Sequence, residues 1–207
     1  MPGLQAREPG RLETLRREAA DCRACPLWAA ATQTVFGEGP GVAKVVFVGE
    51  QPGDKEDLLG RPFVGPAGQL LDQAFADAEI DRSRIYLTNA VKHFKFEERG
   101  KRRLHKRPNT AEIRICHRWL TEEIAAIKPK LLVALGATAA QSLAGRATPV
   151  GASRGKVLEI GDGLRVFVTV HPSSLLRLPD PDMKATEYAR FVADLRTVGR
   201  LLDETVP

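Results

Sequence analysis

Residues 101–109, KRRLHKRPN, set one histidine, His105, among five cations: Lys101, Arg102, Arg103, Lys106 and Arg107. A neutral imidazole can attack a carbon, take a proton or contact a phosphate, and surrounding cations disfavour its protonated form. Three further polar motifs carry groups suited to chemistry. Gly49-Glu50-Gln51-Pro52-Gly53 places a carboxylate between glycines, where a ligand can approach the backbone closely. Asn89 offers an amide that both donates and accepts. His171-Pro172-Ser173-Ser174 adds an imidazole and two hydroxyls.

A second group of residues suits metal chemistry. Cys22 and Cys25 stand in C-x-x-C spacing, and Cys116 could add a third thiolate. His93 and His117 are the candidates for a fourth ligand. Spacing alone points first to zinc held by three cysteines and a histidine. An iron–sulfur cluster with one histidine ligand, or three unliganded thiols, fits the same pattern. An odd cysteine count argues against a disulfide framework.

These groups need elements to position them. Residues 10–20 read as a short helix leading to the cysteine pair. Apolar runs at 44–48 (KVVFV), 85–90 (IYLTNA), 131–135 (LLVAL) and 164–170 read as strands, the last paired in a hairpin with 157–160 around Gly161-Asp162-Gly163. Helical spacing recurs at 66–78, at 109–127 behind an Asn109/Glu112 capping box, near 138–143 and at 182–203. Strands alternating with helices predict an α/β fold with a parallel sheet covered on both faces. Ligands in such folds bind beyond the carboxyl ends of the strands, where Glu50, Asn89 and His171 all fall.

The chain has 207 residues, enough for one domain with a real core. No apolar run has the length of a membrane span, and the charged N-terminus has no apolar signal core, so a cytoplasmic protein is expected. Charge is concentrated. Residues 92–107 carry eight cations and two anions, a local excess of six against a whole-chain net charge of +5. That is the footprint expected of a polyanionic partner.

The ordered set CRACPLW, GEQPGDKEDLLGRPFVGPAGQLL, YLTNAVK and TVHPSSLL resembles the uracil-DNA glycosylase superfamily over nearly the whole chain, in particular its iron–sulfur branch, family 4. The resemblance implies a three-layer α/β/α sandwich around a mostly parallel four-stranded sheet. It implies a monomer with a single domain over 1–207, a cluster-binding segment at about 10–40 and an inserted basic loop at about 93–109. Gln51 in place of alanine, His93 in place of cysteine and the inserted KRRLH resemble the UdgX-type subclass, named for a glycosylase that becomes bonded to its DNA. On that resemblance the partner is uracil-containing DNA and the cofactor a [4Fe–4S] cluster on Cys22, Cys25, His93 and Cys116. His105 is then the nucleophile that stays attached to C1′ of the abasic site, and Glu50 and His171 are its catalytic companions; the alternatives are an ordinary turnover glycosylase of the same family and a non-catalytic metal-containing nucleic-acid binding module. Gln51, Phe63 and Asn89 bind uracil, and Lys101, Arg102, Arg103, Arg107 and Ser173 contact the DNA.

Overall fold

A computed structural model describes residues 10–161 and 163–203. Asp162 of the glycine turn and the first nine residues of the N-terminal stretch lie outside the described residues. The apolar runs form β1 (Val45–Gly49), β2 (Ile85–Asn89), β5 (Leu131–Leu135), β6 (Val157–Ile160) and β7 (Leu164–Thr169). Their order is β2-β1-β5-β7-β6, with parallel pairing except between β6 and β7. The sheet therefore has five strands where four are expected. The fifth is the first arm of the 157–170 hairpin, which pairs antiparallel with β7 (Val157 opposite Phe167, Ile160 opposite Leu164) and covers its outer edge.

The β1, β2 and β5 strands are buried along their whole length, as strands covered on both faces must be. Alternate residues divide between two cores. Val45, Phe47, Leu131, Val133 and Phe167 face one side, with α3 (Pro66–Asp77) and α8 (Pro181–Asp203) packed over them. Val46, Val48, Leu132, Ala134, Val166 and Val168 face the other, under α4 (Thr110–Ile127) and α5 (Ala137–Ala144). The expected box caps α4: Asn109 Oδ1 accepts from the Glu112 N–H, and Glu112 accepts from the Asn109 N–H. A third apolar cluster joins α1 (Arg11–Ala20) and the cysteine segment to α4.

The 93–109 segment is not an irregular loop. Its central residues form a β-hairpin of β3 (Phe96–Arg99) and β4 (Arg102–His105), turned by Gly100 at φ 60°. The short helix α2 (Asp54–Leu59) faces it, and α6 (Val150–Ser153) and the one-turn α7 (Pro172–Leu176) complete the set. No helix among the described residues is long and apolar enough to cross a membrane.

Candidate active site

Strands β1, β2, β5 and β7 all end at one rim, and the residues that follow them line a cleft of about 1020 Å³. Glu50, Phe63, Asn89, His105, Arg107, Thr138, His171 and Arg177 are among its lining residues. The carboxylate, amide and imidazole read from the sequence therefore do converge, and the hairpin delivers His105 to the same cavity.

Backbone geometry makes room for this. A Cβ on Gly49 would lie 2.4 Å from Asn89 Oδ1 and 2.7 Å from the Phe63 ring, so only glycine lets those side chains reach the end of β1. Phe63 itself holds φ 56°, a region costly for a residue with a Cβ. Its ring lies 6.1 Å from that of His171, with 30° between the ring planes.

The hydrogen bonds fix the tautomer of His171. Its Nδ1 accepts from the backbone N–H of Ser173 at 3.2 Å and faces the Ser173 hydroxyl at 2.8 Å. The proton of the neutral ring is therefore on Nε2. Burial, with His105 and Arg177 nearby, pushes the pKa down to about 4. Ser173, expected on the DNA, here contacts the His171 ring through both its N–H and its hydroxyl.

That shift has a readable consequence. The folded chain keeps His171 neutral, whereas the unfolded ring protonates near 6.5, so the unfolded state binds more protons between about pH 4 and 6.5. The His171 contribution to stability is complete above that window and is lost as pH falls through it. The denaturant midpoint of the native chain is expected to fall relative to that of a His171→Gln variant as pH drops from about 6.5 to 4. A constant difference would contradict the depressed pKa.

Glu50 sits between the two histidines' elements. Its Oε1 is 3.4 Å from His105 Nε2, and its Oε2 accepts a hydrogen bond from the Thr138 hydroxyl. The Arg107 Nε donates to Thr138 Oγ1 at 3.2 Å and lies 3.7 Å from Glu50 Oε2. Thr138, the second residue of α5, is a site residue that the sequence reading missed. A threonine after a strand-end glycine carries no signal of its own until the fold brings it over Glu50.

His105 is held below the ordinary histidine range, and burial leads the causes. Arg177 adds to the lowering, and the Glu50 carboxylate opposes it. The depression expected of the five loop cations thus comes chiefly from desolvation and from an arginine outside the loop. Arg103 is also occupied elsewhere. Its guanidinium donates to Asp54 at 2.6 Å and to the fully buried Asp57 at 2.7 Å, and it lies over Phe96. It anchors the hairpin to α2, where a phosphate contact was expected. Lys101 and Arg102 remain exposed at the hairpin end, with no carboxylate partner among the described residues.

Gln51, expected to hold the base through the backbone N–H groups around it, lines the cleft, and its buried side-chain amide bridges both stems of the hairpin: Nε2 donates to the Lys95 and Lys106 carbonyls at 3.0 and 3.2 Å, and Oε1 accepts from the Lys95 N–H at 3.2 Å. Gln51→Ala is expected to cost about 2 kcal/mol, since it leaves buried backbone groups unpaired. It should also raise amide hydrogen exchange in β3 and β4 more than in β1. Unchanged protection of the hairpin would remove Gln51 from this role.

The cysteines gather under the N-terminal segment. Cys25 and Cys116 are buried in one cluster with Leu15, Val91 and Trp119, and Cys22 packs against it. Two N–H groups point at sulfur: Trp119 Nε1 donates to Cys22 Sγ and the Lys92 backbone to Cys116 Sγ, both at 3.2 Å. His93 is buried, with Nε2 2.9 Å from the Thr34 hydroxyl. His117 lies elsewhere, 3.4 Å from Ser142. Among the described residues no three His, Cys, Asp or Glu side chains are grouped to hold a metal ion. The three thiols thus lie in one apolar neighbourhood, two of them facing an N–H donor.

Together these features define a doubly wound α/β protein with a cleft at the carboxyl rim of its sheet, flanked by a basic hairpin. Residues 36–196 match the model of the uracil DNA glycosylase superfamily. A type-4 uracil-DNA glycosylase of Thermotoga maritima is 38% identical over 80% of this chain and 83% of its own length. That of Archaeoglobus fulgidus is 34% identical over 95% and 96%, and that of Pyrobaculum aerophilum 35% identical over 81% and 86%. The chain belongs to the uracil-DNA glycosylase superfamily.

Proposed function

We propose that this protein excises uracil from DNA and releases its product, as a turnover glycosylase of the type-4 kind. The observation that carries the chemistry is the neutral, Nε2-protonated His171 facing the same cleft as the Glu50 carboxylate. The named type-4 relatives support the turnover form.

An enzyme acting on a stacked base must extrude it into a pocket. Phe63 supplies the stacking face, and the Asn89 amide can donate to uracil O4 and accept from N3–H, a pattern cytosine cannot satisfy in the same orientation. The C1′–N1 bond then breaks with its electron pair leaving on uracil. His171 donates to O2 as negative charge gathers there, and Glu50 faces the positive sugar. Water adds its oxygen to C1′, and its proton passes to Glu50 or the released base. Lys101, Arg102 and Arg107 meet phosphates, which makes binding steeply salt-dependent.

One observation favours a second reading, the UdgX-type covalent capture. His105 Nε2 lies 3.4 Å from Glu50 Oε1, on a clamped hairpin, with its neutral form favoured. In that reading Nε2 takes the place of water and bonds to C1′ as the C1′–N1 bond breaks with its electron pair on uracil, and the single ring proton, on Nδ1, passes to the released base or to solvent. Denaturing electrophoresis with a quantified uracil assay on a uracil-containing single strand separates the two. Uracil released in excess over protein, with no shifted band, supports turnover. One uracil per protein with a heat-stable shifted band supports capture. No release at all would sink both.

Cys22, Cys25, Cys116 and His93 would hold a [4Fe–4S] cluster, the three thiols lying together and His93 buried after the end of β2. When bound it supplies iron–thiolate bonds that tie the N-terminal segment to the end of β2 and to α4. The purified protein is expected to contain four iron atoms, following from the cluster's formula, and Cys116→Ser to lose them. Stoichiometric zinc without iron would refute this assignment.

A further inference from the structure

A buried ion pair lies behind the base-reading end of β2 without touching the cleft. Lys92 and Glu123 both have fully buried side chains and are 2.5 Å apart. The lysine ammonium has three donors, and the structure uses each: Glu123 Oε2 at 2.5 Å, Thr88 Oγ1 at 2.6 Å and the Asn89 carbonyl at 2.8 Å. Glu123 in turn accepts from the Tyr86 hydroxyl, the Gly37 N–H and Thr88. Such a pair contributes little net stability, because the desolvation of two charges offsets their attraction. Its distinctive product is direction.

That direction is imposed on one peptide group. The chain after Asn89 is already curled toward β1, with the Ala90 and Val91 N–H groups donating to the Gly49 and Glu50 carbonyls at 2.9 and 3.0 Å. Lys92 folds back onto the carbonyl of Asn89 and fixes its other side. The backbone carrying the base-reading amide is therefore held from both flanks and kept in register with the backbone of Glu50.

We propose that Lys92 and Glu123 are positioning residues for base recognition, setting the Asn89 amide through its backbone carbonyl. This rests on the reading of Asn89 as the group that contacts uracil. A purely structural pair would alter melting temperature alone, so the test separates stability, base binding and DNA binding. The full-length variants are Lys92→Met with Glu123→Leu, which replaces both charges by apolar groups, and Thr88→Val, which removes one acceptor of the lysine and keeps volume.

The probes are free uracil, titrated by NMR of the Asn89 side-chain amide, and a uracil-free single strand. In whichever variant is folded, uracil binding is expected to weaken by about tenfold, the equivalent of one well-aligned hydrogen bond. The Asn89 amide resonance should move, and affinity for the uracil-free strand should be retained. A folded variant with native uracil affinity and an unmoved Asn89 resonance overturns the proposal. Asn89→Ala separates the two levels of failure. If it binds uracil normally, the base-reading assignment falls and the proposal with it. If it loses uracil while the pair variants do not, only the positioning role falls.

Discussion

Alanine in place of His171 is expected to slow uracil excision by about two to three orders of magnitude, the range found when one pre-aligned donor to a developing anion is removed. The size of the effect follows from how fully this ring is prepared. Its Nδ1 is satisfied by the Ser173 N–H, its proton is thereby placed on Nε2, and its pKa near 4 keeps it neutral at working pH. A neutral donor in a desolvated cleft strengthens its bond as charge moves onto the base and needs no reorganisation to do so. Single-turnover excision at saturating protein is the measurement, because it excludes product release. A rate within about tenfold of the native protein would remove His171 from charge stabilisation. Ser173→Ala should cost far less, since the backbone N–H that sets the tautomer remains.

Much of this arrangement was legible in the sequence because strong local signals coincide with it. The α4 cap is written in Asn109 and Glu112, and the buried strands are uninterrupted apolar runs. The rule that ligands sit beyond strand ends placed Glu50, Asn89 and His171 in one cleft, as the structure does. What escaped was set by long-range pairing. Residues 96–105 are mostly polar and charged and carry no strand pattern. They form a hairpin because Arg103 reaches Asp54 and Asp57, almost fifty residues earlier, and because Gln51 bonds both stems. Composition identified those cations but could not divide them between an internal anchor and exposed ends. The fifth strand was read as a hairpin arm, and only its pairing on β7 makes it part of the sheet.

The hairpin also changes how His105 is understood. A histidine on a mobile cationic loop would sample many positions, whereas this one ends a strand whose stems are joined at Lys95 and Lys106. Its approach to Glu50 is therefore a property of the fold. The nearby Phe94 ring, 6.2 Å from the imidazole, belongs to the same stem. The hairpin can thus present a defined imidazole to the cleft, whether that group accompanies a water or replaces it.

Glu50→Gln is expected to lower the excision rate by about two to three orders of magnitude with little loss of DNA affinity. The cleft contains other carboxylates, but they are already engaged. Asp54 is paired with Arg103, and Glu56 accepts from the Gly65 N–H at 2.8 Å. Glu50 alone of the three has an oxygen directed at His105, while its other oxygen is held by Thr138. An amide keeps the shape and can still accept from Thr138, so the fold and the phosphate contacts should persist. What it removes is the negative charge facing the sugar as positive character develops there. The loss should therefore fall on the rate of the chemical step and not on binding, which single-turnover kinetics and equilibrium titration resolve separately. The same substitution removes the carboxylate charge that opposes the lowering of the His105 pKa, so that pKa should fall further, which NMR titration of the ring can follow. A variant that excises uracil at the native rate would show that the sugar cation is stabilised elsewhere. A variant that merely binds DNA more weakly would make Glu50 a scaffold for the hairpin.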